Sequence, residues 1–365
     1  MTTDAQALVL TEAPGRLVAC EVVLDSPGPG EVLVRSRATG VCHSDVHFRD
    51  GLVETPLPSV LGHEVSGEVV AVGAGVTYLR PGDSVVGCMT VFCGECRFCL
   101  TGQTPLCEQR SATQRPHGAP PRLSRDGLAI HQFASLSAFA DHLLVHERAL
   151  VRVDDDVPFE VAALLGCAVV TGVGAVLNTA GVRPGQSVAV VGCGGVGINC
   201  IQGARLAGAA RIIAIDVNPT KLELARLFGA TDTVLAEADL PVAEVLELSR
   251  GGVDHAFEAV GSPALAGAVV ALTRRGGCAT LVGILPAGTH IAVSGGALLA
   301  GRRLQGSPMG STRFRLDIPS YLEHYRAGRL MLDELVSSRI GLTDVDLACD
   351  ALLAGADIIR SVVVF

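Results

Sequence analysis

Four cysteines within one short segment are the densest set of metal-ligating side chains in the sequence: Cys93, Cys96, Cys99 and Cys107. Four thiolates at this spacing can surround one ion tetrahedrally, and zinc held by four sulfurs has no open position for a substrate. An iron–sulfur cluster uses similar ligands, and a group of free core cysteines is the alternative without a metal. Because Gly94, Glu95 and Arg97 lie between them, the segment is a polar loop, and we predict a structural zinc site.

Three further side chains, far apart in the sequence, offer the ligands of a second zinc site: Cys42, His63 and Cys167. Two thiolates and one imidazole neutralise Zn²⁺ and leave a fourth position for water or an alcohol oxygen. Spacing alone does not establish this trio, because a lone cysteine in an apolar run is usually a core residue.

A glycine-rich turn follows the apolar run 187–191 and precedes a helical pattern; its residues are Gly192, Cys193, Gly194, Gly195, Val196 and Gly197. GxGxxG is a weak signal alone, but between a strand and a helix it lets a pyrophosphate approach the helix N-terminus. The next apolar run ends in Asp216, where a carboxylate accepts hydrogen bonds from ribose hydroxyls and repels a 2′-phosphate. We therefore predict NAD in preference to NADP; a strand–turn–helix corner without a ligand is the less favoured interpretation. Lys221, the only lysine, lies on the same ribose side.

The elements that must position these groups follow two patterns along 365 residues, a length typical of two domains. Up to about residue 165, short alternating apolar runs such as 31–38 and 65–72 are broken by Gly and Pro, which predicts an antiparallel, barrel-like β domain. Beyond it, strand-like runs such as 188–191 alternate with helical segments, which predicts a parallel sheet with helices on its faces. A helix near residues 319–327 and a closing strand at 361–365 complete the chain.

Composition excludes several classes of protein. A hydrophobic fraction of 49% with 18% charged residues excludes a disordered chain, and a net charge of -9 argues against nucleic-acid binding. The longest uncharged stretches contain many glycines and polar residues, so we predict buried elements and no membrane span. The N-terminus shows no secretory signal, and clustered cysteines favour metal over disulfides, so we expect a cytoplasmic protein.

Taken together, the motifs resemble zinc-dependent medium-chain alcohol dehydrogenases. They occur in order over essentially the whole sequence: Cys42-His43-Ser44-Asp45, Gly62-His63-Glu64, the four clustered cysteines, Cys167 with Thr171, the glycine-rich turn, Asp216 and the C-terminal segment from Ile359 and Arg360 to Phe365. The resemblance implies an α/β fold in which residues 1–168 and 308–365 form a GroES-like β-rich catalytic domain. Residues 169–307 would form a Rossmann domain with a doubly wound parallel sheet that binds NAD.

The resemblance also implies a role for each matching residue. Cys42, His63 and Cys167 would hold a catalytic zinc, with Glu64 beside it as a transient ligand and Asp45 orienting His63. Ser44 would accept the alcohol proton and pass it, through the ribose hydroxyl, to His47. Cofactor contacts would come from the glycine-rich turn and from five further residues: His43, Thr171, Asp216, Lys221 and Arg360.

The implied reaction is reversible hydride transfer between an alcohol and NAD, with two zinc ions per chain, one catalytic and one structural. The partners would be a small-molecule alcohol or aldehyde and a second copy of the chain, in a homodimer or homotetramer. Two alternatives keep the fold: a reductase of a specialised metabolite, and a thiol-adduct formaldehyde dehydrogenase. A third alternative is a dinucleotide-binding protein that holds a structural zinc and catalyses no reaction. It is disfavoured because the ligands of an open zinc site and the residues of a proton path, Ser44 and His47, are all present.

Departures from the family concern the cofactor and the substrate pocket. His43 stands where many relatives carry Arg, and we expect a partly neutral imidazole to hold the pyrophosphate less tightly. Met89, where some liver-type enzymes carry an aromatic residue, and Phe133 suggest a flexible apolar slot for medium or bulky primary alcohols. Relatives that oxidise thiol adducts use basic residues after the last structural cysteine; this loop carries Arg110, Arg115, Arg122 and Arg125, which alternatively form a solvated loop.

Overall fold

A computed structural model describes residues 2–237, 239–356 and 359–365. The chain divides into two compact units, the first made of Met1–Cys167, Arg313–Tyr321 and Leu332–Phe365, and the second of Ala168–Thr312 and Leu322–Met331. The first boundary lies one residue, and the second five residues, from the limits expected from the sequence.

The strands of the described residues are, in chain order, β1 (Thr3–Leu10), β2 (Leu17–Leu24), β3 (Glu31–Val41), β4 (Ser59–Val60), β5 (Glu64–Val72), β6 (Ser84–Gly87), β7 (Leu123–Arg125), β8 (Leu128–Ala129), β9 (His131–Gln132), β10 (His142–His146), β11 (Leu150–Val153), β12 (Ser187–Val191), β13 (Arg211–Asp216), β14 (Asp232–Leu235), β15 (Val253–Glu258), β16 (Thr273–Leu281), β17 (Arg303–Gly306), β18 (Val336–Ile340) and β19 (Arg360–Val364).

The α-helices are α1 (His43–Arg49), α2 (Arg97–Leu100), α3 (Phe159–Leu164), α4 (Val170–Gly174), α5 (Gly195–Leu206), α6 (Pro219–Phe228), α7 (Val242–Leu248), α8 (Pro263–Ala268), α9 (Gly295–Leu299), α10 (Phe314–Arg326) and α11 (Val345–Leu353). Two π-helical segments, Leu165–Val169 and Ala175–Ala180, continue α3 and α4. Short 3₁₀ turns occupy Thr104–Leu106, Arg110–Thr113, Phe133–Ser135, Glu147–Ala149, Val269–Leu272, Pro308–Ser311, Asp333–Leu335 and Leu342–Asp344.

The first unit is β-rich, as its alternating pattern predicts. Its strands form a six-stranded sheet in the order β8-β7-β2-β1-β4-β9 and a second sheet in the order β11-β6-β5-β3-β19-β18, with β10 also paired to β3. Most pairs are antiparallel, while β4–β9 and β18–β19 are parallel. Strand β19 pairs directly with β3, so residues near position 360 lie beside the strand that ends just before Cys42.

The second unit is a parallel sheet in the order β14-β13-β12-β15-β16-β17. Numbered within the unit, this is the 3-2-1-4-5-6 order of a dinucleotide-binding fold, in which ligands bind where the strand order reverses, here between the carboxyl ends of β12 and β15. Every pair in it is parallel, and its core is made of buried Val, Ile, Leu and Ala side chains, as a sheet covered on both faces requires. The glycine-rich turn begins at this reversal point.

The helical stretch Phe159–Ala180 is long and apolar enough to cross a membrane, but 89% of its most apolar window is buried inside the protein. The core helix of a folded domain is often as long and as apolar as a membrane-spanning helix. Its first π-helical segment carries Cys167, and π-helical insertions of this kind frequently occur at functional sites.

Residues 322–331 belong to the second unit, whereas the sequence limits place them in the catalytic domain. Paired hydrogen bonds between the Gln202 side chain and the Met331 backbone, at 2.9 and 2.8 Å, attach this segment to α5. Arg205 adds a bond to the carbonyl of Arg329 at 2.9 Å. These polar contacts join residues that are far apart in the sequence. They produce no periodic pattern of apolar residues from which the sequence could have placed this segment in the second unit.

A buried ion-pair cluster organises the loop after the structural cysteines. The Glu31 carboxylate accepts hydrogen bonds from Arg115 at 2.6 Å and from Arg122 at 2.7 Å, and Arg115 also pairs with Asp25 at 2.6 Å. Burial raises the pKa of Glu31, but the hydrogen bonds from the two arginines outweigh it and lower the pKa to about 2. Two of the four loop arginines are therefore structural.

We expect Glu31→Gln to lower the free energy of unfolding by about 3 kcal/mol at pH 7, because the lowered pKa corresponds to that order of stabilisation of the ionised carboxylate. A carboxyl group whose pKa falls on folding stabilises the protein above its unfolded pKa, near 4.5, and loses that contribution as the pH falls towards 2. The deficit should therefore stay constant between pH 8 and about pH 5 in urea unfolding.

The matched control is Glu68→Gln, since Glu68 pairs with Arg35 and Arg37 at a solvent-accessible site and should change stability by less than about 1 kcal/mol. A Glu31→Gln deficit no larger than that of the control, or one that disappears by pH 6, would contradict the assignment.

Candidate metal and nucleotide sites

Four buried side chains meet in the first unit with one ligand atom each within 4.8 Å of the others: Cys42, His63, Glu64 and Cys167. Cys42 ends β3 and precedes α1, and Glu64 begins β5, directly after His63. Since β3 and β5 are antiparallel neighbours with Gly40 opposite Glu64, the sheet register brings the two ends together. The structure thus gathers the trio that spacing alone could not establish.

The Asp45 carboxylate fixes the geometry of this cluster. One oxygen accepts hydrogen bonds from the backbone N–H of Gly62 at 3.2 Å and contacts His63 Nδ1 at 3.1 Å, and the other accepts from the Cys42 N–H at 2.9 Å. With Nδ1 held by the carboxylate, His63 Nε2 is the ring nitrogen left to bind a ligand, and it is buried without a hydrogen-bond partner among the described residues. This is the arrangement expected of a metal-binding histidine.

Arg360 reaches the same cluster from β19. Its guanidinium is buried, pairs with Glu64 at 3.2 Å and donates a hydrogen bond to Cys42 Sγ at 3.4 Å. Contact with the pyrophosphate stays a prediction for Arg360. Its partnership with the metal ligands was missed, because pairing between β19 and β3 depends on residues more than three hundred positions apart.

The pKa shifts in the cluster reflect burial and the close contacts among its groups. Hydrogen bonding from Cys167 lowers the pKa of the Cys42 thiol, whereas the same bond and burial raise the pKa of the Cys167 thiol. Burial raises the pKa of Glu64 to about 7. Burial alone lowers the pKa of His63, but the Asp45 carboxylate outweighs it and raises that pKa.

These observations fit zinc. Two sulfurs and an imidazole nitrogen are its preferred ligands, and the buried Nε2 of His63 lacks any other partner in the described chain. Glu64 is the fourth group, and its ion pair with Arg360 holds it beside the three ligands.

The second cluster is formed by the Sγ atoms of Cys93, Cys96, Cys99 and Cys107, all within 4.8 Å of one another. Backbone N–H groups of Glu95 and Cys96 donate to Cys93 Sγ at 3.4 and 3.3 Å, which orients that sulfur inward. Four sulfurs satisfy tetrahedral zinc completely, so this site is structural. Phe92 and Phe98 pack against the cluster, and the Phe92 ring also lies edge-on to Phe314, with 6.0 Å between ring centres, which links the loop to another segment of the unit.

The glycine-rich turn lies in the second unit, between β12 and α5. Gly192 has φ +91°, which favours glycine, and a side chain on Gly197 would collide with the carbonyl of Gly192. A Cβ added to Gly194, by contrast, would meet nothing within 4 Å, so open space remains in front of the turn for a phosphate group. Gly195 begins α5 and Val196 is half-buried.

Asp216 ends β13 next to this turn. One carboxylate oxygen accepts from the N–H of Cys193 at 2.7 Å and the other from the N–H of Asn218 at 2.9 Å. Lys221 follows in the first turns of α6, and both side chains are partly exposed. Thr171 is buried in α4, where its hydroxyl contacts the Met309 sulfur at 3.6 Å. Ribose and cofactor contacts by these residues stay predictions.

The expected proton-transfer residues lie on and beside α1. Ser44 Oγ is 3.6 Å from Cys42 Sγ, and His47 is half-buried with its ring centre 5.6 Å from that of the exposed His43. Of the predicted pocket residues, Phe133 lies edge-on to the His63 ring at 6.0 Å between ring centres. Met89 is half-buried and packs against a core cluster of the same unit.

Glu258 is a buried residue of the second unit that sequence reasoning missed. It ends β15 opposite Val191, and one of its oxygens accepts hydrogen bonds from the backbone N–H groups of Val260, Gly261 and Ser262. It therefore fixes the loop beside the strand-order reversal. A single glutamate at a strand end carries no motif by which the sequence could have identified it.

Comparison with known proteins agrees with the geometry. Residues 28–155 match the family "Alcohol dehydrogenase GroES-like domain", and residues 195–325 match "Zinc-binding dehydrogenase". The alcohol dehydrogenase class-3 of Myxine glutinosa is 40% identical over 361 residues, which cover 97% of this chain and 96% of that protein. The chain belongs to the zinc-dependent medium-chain alcohol dehydrogenases.

Two further proteins are similar to this chain over nearly the whole of their length. The S-(hydroxymethyl)glutathione dehydrogenase of Escherichia coli O1:K1 is 40% identical over 95% of this chain and 96% of its own length. The crystal structure of benzyl alcohol dehydrogenase from Acinetobacter calcoaceticus superposes with a TM-score of 0.93 at 32% identity, covering 100% of this chain and 99% of that one. The predicted fold class and family are confirmed, and zinc and NAD are the cofactors of this alcohol dehydrogenase.

We expect Asp45→Asn to weaken zinc binding at the Cys42 site by about 10–100-fold, because an amide has one acceptor oxygen for the three N–H groups that the carboxylate serves. After dialysis against a chelator, the variant should retain one zinc ion per chain, at the four-cysteine site, where the wild type retains two.

Asp50→Asn is the control, since Asp50 follows the same helix and pairs with Arg49 away from His63. Retention of both ions by Asp45→Asn under conditions that also leave the wild type loaded would reject the orienting role of Asp45.

Proposed function

We propose that this alcohol dehydrogenase oxidises uncharged primary alcohols with a medium-length or bulky apolar group, reversibly and with NAD. The proposal rests on the ion pairs and hydrogen bonds that the loop arginines form within the first unit. Arg115 and Arg122 are engaged by Glu31 and Asp25 inside the first unit, so neither guanidinium is available to bind the carboxylates of a thiol adduct.

The other two loop arginines give no better support for an anionic substrate. Arg110 donates to the carbonyl of Pro105 at 2.5 Å, and Arg125 lies 3.6 Å from the exposed carboxylate of Asp126. The 40% identity to S-(hydroxymethyl)glutathione dehydrogenases keeps the thiol-adduct reaction as the second candidate, since identity at that level extends over 95% of this chain. Phe133 beside His63 favours an apolar substrate instead.

We assign the following roles to the residues of the two sites. Cys42, His63 and Cys167 would hold the catalytic zinc, which when bound supplies a Lewis acid that makes an alcohol hydroxyl more acidic. Ser44, next to Cys42, takes the hydroxyl proton, and His47 exchanges it with solvent. Asp45 keeps His63 in the orientation that presents Nε2. The second unit binds NAD through the glycine-rich turn, with Asp216 and Lys221 at the ribose and Thr171 near the cofactor.

The same proposal includes the first unit's cofactor contacts, with His43 and Arg360 at the pyrophosphate. The preferred direction is either oxidation of the alcohol with NAD or reduction of the aldehyde with NADH. Steady-state kinetics with both cofactor forms distinguish the two. A reductase of a specialised metabolite would show the higher kcat/KM with NADH and aldehyde.

We also propose a cytoplasmic homodimer or homotetramer. All twelve cysteines lie in the described part of the chain and none forms a disulfide, a state that a reducing compartment preserves. On α9 the side chains of Leu298 and Leu299 are exposed, the latter by 92%, and an apolar surface of this kind is commonly covered by a second subunit.

We expect Cys42→Ser to abolish turnover while leaving NADH affinity close to that of the wild type, because the substitution removes a zinc ligand and leaves the nucleotide-binding unit unaltered. Cofactor affinity is measured by fluorescence titration and turnover with a primary alcohol. Cys20→Ser, a cysteine outside both clusters, is the control and should retain full activity. Full activity in Cys42→Ser would reject the catalytic zinc assignment.

We expect kcat/KM for benzyl alcohol to exceed that for S-(hydroxymethyl)glutathione by about 100-fold or more, because the loop arginines are engaged by other groups and leave the charges of the adduct unpaired. Arg110→Gln and Arg125→Gln should leave this ratio within about twofold of the wild-type ratio. A preference for the adduct that either substitution removes would establish the thiol-adduct reaction and refute the proposed substrate class.

A further inference from the structure

Three hydroxyl side chains meet at the carboxyl edge of the second unit's parallel sheet. Thr179 lies in the π-helical segment that continues α4, and its Oγ1 atom lies 2.8 Å from Oγ of Ser307 and 2.8 Å from Oγ of Ser311. A threonine hydroxyl has one proton and two acceptor lone pairs, so Thr179 can hydrogen-bond both serines at once. We call these three residues the hydroxyl cluster. Ser307 directly follows β17, and its N–H donates to the carbonyl of Leu281 at the end of β16, at 2.9 Å.

The segment between the two serines, residues 307–311, has a strained backbone. Met309, Gly310 and Ser311 have φ values of +47°, +64° and +48°, so three consecutive residues are left-handed and two of them carry side chains. Strain of this kind persists only where surrounding contacts hold it, and it is concentrated at functional sites. The hydroxyl cluster holds both ends of the segment, and the side-chain amide of Asn178 donates to the carbonyl of Gly310 at 3.3 Å.

The same segment packs directly on α4. A Cβ atom added to Gly310 would collide with the carbonyl oxygen of Val170, and one added to Gly174 would collide with the carbonyl oxygen of Gly310. Thr171 of α4 donates a hydrogen bond from its hydroxyl to the Met309 sulfur at 3.6 Å. The helix and the segment therefore fit together closely, and the Met309 side chain lies against a residue that the family resemblance assigns to the cofactor.

The position of the segment in the sheet indicates which half of a dinucleotide it faces. A dinucleotide lies across the point where the strand order reverses, with one mononucleotide on each side. Asp216 ends β13, on one side of the reversal between β12 and β15, and is predicted to bind the adenosine ribose. Residues 307–311 follow β17, on the other side, and this side belongs to the nicotinamide half.

We propose that Thr179 is a positioning residue for the cofactor: its hydrogen bonds to Ser307 and Ser311 hold residues 307–311 in the conformation that binds the nicotinamide half of NAD. Thr179 acts through this segment, which it orders before the cofactor binds, and pre-organisation of this kind raises affinity. The inference rests on the proposed function, because it takes NAD as the cofactor. The bonds of the hydroxyl cluster do not involve α9, so a second subunit on the surface of that helix leaves them intact.

The test compares NADH with ADP-ribose, which lacks the nicotinamide ring, by isothermal titration calorimetry of the zinc-loaded enzyme. Thr179→Val removes the hydroxyl and keeps the shape of the side chain. It should weaken NADH binding by about tenfold or more, since both bonds that hold the strained segment are lost. It should change the affinity for ADP-ribose by less than about twofold, because the adenosine half lies on the other side of the reversal point. Thr179→Ser keeps the hydroxyl and should bind NADH within about threefold of the wild type.

Thr273→Val is the matched control. Thr273 begins β16 at the amino edge of the same sheet, and its buried hydroxyl donates to the carbonyl of Val270 at 2.8 Å. Loss of this bond should lower stability in urea unfolding, as Thr179→Val does, yet leave NADH affinity within about twofold of the wild type.

Ser311→Gly keeps the test decisive if Thr179→Val fails to fold, since a φ of +48° suits glycine. It removes one of the two bonds and should weaken NADH binding by about threefold or more while leaving ADP-ribose binding unchanged.

The proposal is overturned if Thr179→Val and Ser311→Gly both bind NADH as tightly as the wild type. It is also overturned if NADH and ADP-ribose lose affinity equally, or if Thr179→Ser binds NADH as weakly as Thr179→Val, because the hydroxyl would then have no specific role at the nicotinamide half. A wild type that binds neither ligand would refute the NAD-dependent function itself, which is a different result from these.

Discussion

One buried carboxylate holds the catalytic metal site together. Asp45 accepts hydrogen bonds from Cys42 and Gly62 and contacts His63, so a single side chain fixes the start of α1, the turn before β5 and the orientation of a metal ligand. Because the group is 1% exposed, water does not compete for these bonds. The protein's own hydrogen bonds therefore orient the ligand trio, and zinc affinity depends on a residue that is not itself one of the three ligands.

The metal sites lie in the first unit and the predicted nucleotide site in the second, and the fold of each unit explains how its functional residues come together. An antiparallel sheet with irregular loops places ligands from distant segments side by side, since β3, β5 and β19 are neighbours despite their separation in sequence. A parallel sheet gathers its functional groups at one edge, where every strand ends, and the glycine-rich turn, Asp216 and Glu258 all lie there. Metal ligation thus depends on strand pairing across the chain, whereas nucleotide binding depends on local strand–turn–helix geometry.

This difference explains which parts of the two sites could be predicted from the sequence. The glycine-rich turn, Asp216 and Lys221, which are predicted to bind the nucleotide, lie within thirty positions of one another, and the predicted strands 188–191 and 211–215 differ from β12 and β13 by one residue at one end. The four-cysteine site was equally local. The trio required the family resemblance, and the contact of Arg360 with Glu64 was not predicted, because no local pattern encodes the pairing of β19 with β3. The loop arginines were ambiguous for the same reason, since Glu31 lies 84 residues before Arg115.

Charge balance constrains the catalytic cluster. Two thiolates and the carboxylates of Glu64 and Asp45 carry four negative charges in a buried space, and Arg360 supplies one positive charge, which leaves an excess of three. Burial raises the pKa of Glu64, and at His63 the Asp45 carboxylate outweighs burial and raises the pKa. Zinc binding requires neutral His63 and ionised sulfurs, and a divalent ion offsets two of the three excess charges. The buried arginine therefore reduces the negative charge that the ligand set presents to the ion, which is a constraint that neither the ligand spacing nor the ligand types express alone.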